Sequence, residues 1–283
     1  MYIIKNDELT AMIDHNGAEL VSVRDKDGYE HIWTAEDVWK RHAPVLFPFV
    51  CNTKSKSYTV NGKEYALSNH GFARDSVYEV TDYGDSFVEM TLRSSEETLK
   101  NYPYRFTFVV RYSLEGNTVR CSFGVRCDDK EMYFFIGGHP GFLVPFASDK
   151  DGDFTDYDVV YEHAETIVQH LDSGDVTVAD DTDTVPLTRE LFKNDVFLKG
   201  EPSSSWVALR DRKTGKSVKV RYDKEGTIAV WSPYDDRANF VCLEPWAQTP
   251  VYDCDTEELT KMPHAKHLTR NGEYEFKFDI VIG

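Results

Sequence analysis

Hydrophobic and polar residues alternate with a period of two along much of the chain. Val119, Cys121, Phe123, Val125 and Cys127 share one face while Arg120, Ser122 and Arg126 take the other, which is the spacing of a half-buried β-strand. Tyr104, Phe106, Phe108, Val110 and Tyr112 repeat it, as do Tyr274, Phe276, Phe278, Ile280 and Ile282, with charged residues between them. Turn signals separate such runs at hairpin spacing: Asp27-Gly28, Asn61-Gly62, Glu115-Gly116-Asn117 and Thr214-Gly215. Successive antiparallel strands are therefore expected. Helical segments are few and short, at Ala35–His42, Ser95–Tyr102 and Thr188–Lys193, the second opened by a serine and closed before Pro103. The absence of a strand–helix–strand alternation argues against a parallel sheet, and the expected class is all-β.

Two stretches interrupt the pattern, SDKDGDFTDYD at 148–158 and DSGDVTVADDTDTVP at 172–186. Rich in aspartate and poor in core-forming residues, they are predicted as surface loops. Asp149, Asp151 and Asp153 have a calcium-loop look, but Gly152 falls two places early for an EF-hand and the twelfth position is Val160. Neither repeat nor linker divides the chain, so residues 1–283 are expected to form one β domain. Hydrophobic residues at 41% and aromatics at 13% supply ample core. The formal charge of −17 opposes nucleic-acid phosphates and anionic membranes, so neither is an expected partner. Five cysteines without a CxxC pair fit reduced thiols, and MYIIKNDELT has no apolar stretch for a signal peptide or span; a cytoplasmic location follows.

Three segments place ionisable side chains among glycine, proline and aromatics, a composition that suits a cleft rim: SNHGFARD at 68–75, FFIGGHPGFLVP at 134–145 and VCLEPWAQTP at 241–250. In the second, Phe134, Phe135 and Ile136 drive a strand ending in Gly137-Gly138, so His139 emerges where backbone can approach a ligand closely. In the third, Glu244 follows apolar Val241, Cys242 and Leu243 and precedes Pro245 and Trp246. Poor solvation there raises its basicity. Taken singly, each is also readable as a structural histidine or a strand-end charge. Together, an imidazole with pKa about 6.5 and a carboxylate raised from about 4.3 make a workable acid–base pair. Phe72, Phe142 and Trp246 are candidate platforms for the apolar face of a sugar ring. No HxH or HxxxH spacing occurs, and His264 and His267 read as a solvated loop, so no metal site is expected.

HGFAR at 70–74, GGHPGF at 137–142, LEPW at 243–246 and WKRHAPVLFPFV at 39–50 together resemble the aldose 1-epimerase (galactose mutarotase) superfamily, in its LacX-like branch. The resemblance implies a large antiparallel β-sandwich, a small-molecule sugar substrate, no cofactor, and a monomer or homodimer. It implies that Glu244 takes the proton of the anomeric hydroxyl while His139 protonates the ring oxygen; the ring opens, rotates and recloses, exchanging α and β anomers. His70 matches the family's second active-site histidine, and Asp195 the position of a hydroxyl-binding aspartate. Where many relatives carry an arginine after the LFPxx run, this chain has Cys51-Asn52, which leaves that contact to Asn52, Lys54, Lys56 or Arg74. Arg74 is also where hexose-6-phosphate members place a phosphate-binding arginine, and bidentate binding makes that alternative reasonable. A non-catalytic carbohydrate-binding protein is the other alternative; a glycoside hydrolase would need a second carboxylate in the cleft.

Overall fold

The computed structural model describes residues 1–171, 174–252 and 255–283. Fifteen strands join in one antiparallel sheet. Its path starts at Val45–Leu46 and passes through Gly137–Gly138, Phe240–Trp246, Thr227–Trp231, Phe197–Gly200, Tyr157–Leu171, Trp206–Asp211 and Ser217–Tyr222. It continues through Glu273–Ile282, Thr118–Cys127 and Phe106–Glu115 to Phe87–Arg93 and Glu79–Gly84, with Gly141–Leu143 and Gly174–Pro186 attached off the path. The path folds over on itself. A Cβ on Gly138, near one end, would lie 2.7 Å from the ring of Phe278 on the C-terminal strand. Two layers packed face to face in this way make the antiparallel β-sandwich expected from the sequence. A three-stranded sheet (Tyr2–Lys5, Leu9–Asp14, Glu19–Asp25) and two small pairs complete the structure.

The alternation reappears as burial. Phe106, Phe108, Val110 and Tyr112 lie in the core with Val119, Cys121, Phe123, Val125, Phe276, Phe278 and Ile280, while Tyr274 is half-buried at the edge of the cluster. Strand Phe240–Trp246 differs, being buried at every position, as a strand covered on both faces must be. At Asn61-Gly62 both residues adopt positive φ, 51° and 77°, which matches the twist of the strands they join. None of the described helices is long and apolar enough to cross a membrane.

Several expectations need correction. Residues 35–42 form no helix: Ala35 sits at φ 55°, and the turn is held by the Trp33 indole donating to the carbonyl of Trp39 (2.8 Å), with both tryptophans stacked on Phe240. Ser95–Tyr102 shrinks to one helical turn, Thr98–Asn101, and Thr188–Lys193 to a 3-10 turn, Arg189–Phe192. The second acidic stretch is no loop over its described part. Gly174–Pro186 is a strand paired with Tyr157–Leu171 in a long bulged hairpin, while residues 172–173 lie outside the described residues. Its Val and Thr residues favour a strand, and its aspartates face solvent along an edge, where charge blocks further pairing. In 148–158, Phe154–Asp156 forms a 3-10 turn inside a capping box with Asp153, and Tyr157 already begins the hairpin.

One glycine positions the site. Gly71 has φ 73°, and a Cβ there would meet the carbonyl oxygen of Phe47 at 2.3 Å; that carbonyl accepts from the amides of Phe72 and Ala73, both at 3.1 Å. The HGFAR turn is thus docked on the LFPF segment. We expect Gly71→Ala to cost on the order of 3 kcal/mol in urea unfolding. A change under about 0.5 kcal/mol, typical of an indifferent surface substitution, would show that the close approach does not matter.

Candidate active site

Gly137 pairs with Trp246 and Gly141 with Cys242, a register that sets His139 opposite Glu244. Between those pairs the chain leaves the ladder at His139-Pro140. The glycines permit it, because a Cβ on Gly137 would collide with the Trp246 ring at 2.6 Å. His139 Nε2 lies 3.2 Å from Glu244 Oε2, with 8% and 2% of the two side chains exposed. Three aromatic contacts fix the imidazole: Trp39 stacked on it (5.1 Å between centroids), and Trp231 and His70 edge-on at 5.7 and 5.4 Å.

Burial dominates the electrostatics. It raises the Glu244 carboxyl well above its ordinary 4.5, and the charge of Asp195 adds to the rise while the Trp246 indole acts against it. It lowers His139 from 6.5 to about 3, with Arg74 and Arg41 pushing the same way. His70 is lowered too, first by burial and then by His139, Arg74 and Arg41. Its Nδ1 accepts from the amide of Cys51 at 3.0 Å, so the proton of the neutral ring sits on Nε2. The Cys51 thiol is pushed up by burial and by Glu244 and Asp195, which leaves it protonated.

A cavity of about 500 Å³ brings these groups together. Glu244, His139, His70, Arg74, Asp195, Asn52 and Trp246, the residues singled out in the sequence, all line it. Asp195 Oδ1 accepts from the Trp231 indole at 2.6 Å. Arg74 Nε is 3.9 Å from Asp75, too far for a hydrogen bond, and has no hydrogen-bond partner among the described residues. Arg41 instead pairs with Asp75 at 2.7 Å and does not line the cavity. Two proposed platforms lie elsewhere: Phe142 is core, and Phe72 packs on Phe47, Tyr102 and Phe106. Lys56 is exposed outside the cavity. The aromatics that line it besides Trp246 are Trp39 and Trp231. Trp231, the last residue of TIAVW before Ser-Pro, had the same strand-end signal as Trp246.

His139, Cys242 and Glu244 are the described residues that could hold a metal ion, with donor atoms within 4.8 Å of one another. The Cys242 thiol, raised well above 9 by burial and then by Glu244, stays protonated and is a poor ligand in that form.

A family model for aldose 1-epimerase matches residues 1–279. The chain belongs to the aldose 1-epimerase family. Within it the chain falls in the LacX-like branch: protein LacX of Lactococcus lactis subsp. lactis, in plasmid and chromosomal forms, is 29% identical over 262 residues, 86% of each chain. A galactose mutarotase related enzyme from Lactobacillus acidophilus is 32% identical and superposes with a TM-score of 0.92 over 100% of this chain and 97% of its own. A galactose mutarotase-like protein from Lactobacillus casei is 28% identical, with a TM-score of 0.88 and full coverage of both chains. The family and these structures support a mutarotase type of function on a sugar.

The shifts make a direct prediction for the imidazoles. The nitrogen resonances of His139 and His70 should keep the pattern of a neutral ring from pH 7 down to about pH 5, whereas an unperturbed histidine becomes charged over that range. An imidazolium pattern for His139 near pH 6 would contradict the burial argument.

Proposed function

We propose that the protein is a mutarotase that interconverts the α and β anomers of a neutral aldohexose by acid–base ring opening and reclosure. The observation that carries this reading is the buried 3.2 Å contact between His139 and Glu244 on the wall of a cavity of sugar size. Once the pair's single proton has crossed the 3.2 Å contact from Glu244 to His139, Glu244 takes the proton from the anomeric hydroxyl while His139 delivers its own to the ring oxygen. The bond between C1 and the ring oxygen then breaks to give the open aldehyde. Rotation about C1–C2 and closure from the other face, with the two roles reversed, completes the exchange. Carboxylate with imidazolium and carboxyl with imidazole are the two ends of one step, so the pair conserves its single proton. Binding alone requires no such couple, which favours an enzyme over a sugar-binding protein.

His70, Asp195, Asn52 and Arg74 serve as hydroxyl partners, with Trp39, Trp231 and Trp246 as the aromatic surface. Arg74 takes up the contact that Cys51-Asn52 leaves open. A 6-phosphate is the weaker reading, because a dianion would meet one lining arginine together with Asp195 and Glu244. The reaction calls on no cofactor, and the cytoplasm is the compartment that suits the reduced thiols.

Glu244→Gln keeps the shape of the side chain and removes the base. It should slow anomer exchange, followed by polarimetry on freshly dissolved sugar, by about 10²- to 10⁴-fold. Unchanged exchange in a folded variant would remove Glu244 from the mechanism. The pH profile of kcat/KM reports on the pair as a unit. Burial opposes both of its net-charged states, so the one-proton window widens. The acid limb, where the imidazole gains a second proton for the pair, falls toward about 3, and the alkaline limb, where Glu244 loses the pair's one proton, lies well above the 4.5 of an ordinary glutamate. An acid limb centred near 6.5 would contradict this.

A further inference from the structure

The long hairpin of Tyr157–Leu171 and Gly174–Pro186 reaches the sugar site through one buried side chain. Asp195 lines the cavity from a loop in which it, Lys193 and Asn194 are all exposed. An aspartate in that setting has many positions open to it. It nevertheless holds a left-handed φ of 74°, which a residue other than glycine keeps only where its surroundings over-determine it. Part of the hold is local, because the Asp195 amide donates to the carbonyl of Phe192 at 3.0 Å. The rest comes from Gln169, 5% exposed, whose Nε2 donates to the carbonyls of Leu191 (3.0 Å) and Asp195 (3.1 Å). A primary amide has two N–H donors, and here one goes to each end of the 191–195 segment. Gln169 is anchored in turn by the hairpin: Val168 pairs with Leu198, and Glu165 accepts from the Ser203 hydroxyl and the Ser204 amide, both at 2.8 Å.

We propose that Gln169 is a positioning residue of the sugar site, acting through the Asp195 backbone to fix where the Asp195 carboxylate meets a hydroxyl of the substrate. The proposal rests on the mutarotase reading, in which Asp195 is a hydroxyl partner. The places where the bonds attach carry it. The peptide before the Asp195 Cα is held by the Phe192 carbonyl and the peptide after it by Gln169, so the direction of the Cα–Cβ bond is set from both sides. Rotation of the side chain is the freedom that remains. The Trp231 indole takes that up by donating to Oδ1 at 2.6 Å, and Oδ2 is then the oxygen for a ligand hydroxyl. Gln169 itself does not line the cavity, so its influence on a sugar passes through Asp195. The His139–Glu244 pair has separate supports, in the stacked Trp39 and the register of the two strands. A loosened Asp195 therefore weakens the hold on the sugar and leaves the proton-transfer groups in place.

Gln169→Met keeps the length of the side chain and removes both donors. With pure anomers of glucose and galactose, it should raise the KM of anomer exchange at least about fivefold while kcat stays within about twofold, the pattern of a lost contact that serves ground and transition state alike. The same substitution made in Asp195→Ala should leave KM where Asp195→Ala alone puts it, because two residues that act through one contact are not additive. A glutamine that only stabilises the fold would raise KM equally in both backgrounds. Proton NMR gives a second readout: the indole N–H resonance of Trp231, identified by its loss in Trp231→Phe, should move upfield in Gln169→Met as the bond to Asp195 lengthens. Should Gln169→Met fail to fold, Gln169→Asn, whose amide sits on a stem too short to reach both carbonyls, is read in the same way. An unchanged KM, or an equal rise with and without Asp195, overturns the positioning role and leaves the mutarotase reading intact. Wild-type protein that accelerates exchange of neither sugar overturns the mutarotase reading, and the positioning role falls with it.

Discussion

A carboxyl group with 2% of its side chain exposed, 3.2 Å from an imidazole, is the constraint on which this site depends. Charge is expensive in such a place. Burial therefore draws both partners toward their neutral forms, raising Glu244 and lowering His139. One proton held between them is the cheapest compromise. The surrounding fold maintains that state: strand Phe240–Trp246 is covered on both faces, Gly137 and Gly138 let the opposing strand approach Trp246 and Phe278, and Trp39 lies over the imidazole.

Backbone strain gathers around the same cavity. Cys51, His70 and Asp195 all have left-handed φ values, 64°, 62° and 74°, without being glycine. Such residues cost of order 1–3 kcal/mol each and persist where their surroundings over-determine them. Here the surroundings are visible. Cys51 and His70 exchange two hydrogen bonds, amide to Nδ1 and amide to carbonyl, and Asp195 is held by the Trp231 indole and, through its carbonyl, by Gln169. What the strain achieves is direction: His70 presents Nε2–H and Asp195 presents its carboxylate at the cavity wall.

Much of this could be read from the residues themselves. Strict alternation in Thr118–Cys127 and Glu273–Ile282 gave strands because one face of each is core and the other is not, and Asn61-Gly62 gave a hairpin because both residues tolerate positive φ. The three Gly- and Pro-rich segments and the aspartate after LFKN converge on one cavity, since such segments sit at strand ends where side chains leave the ladder. Other features were hidden for physical reasons. Residues 35–42 have helix-forming composition, but stacking of Trp33 and Trp39 on Phe240 outweighs local preference. The acidity of 174–186 masks an edge strand, where solvent-facing aspartate is compatible with pairing. Trp231 carries the same strand-end signal as Trp246, but its place on the cavity wall shows only once Asp195, distant in sequence, is set beside its indole.

The shared proton is the central claim, and infrared spectroscopy at neutral pH tests it most directly. A protonated carboxylic acid has a carbonyl stretch distinct from that of a carboxylate, and the account predicts such a band in the folded protein that disappears in Glu244→Gln. A wild-type spectrum in which Glu244 contributes only carboxylate absorption would contradict it.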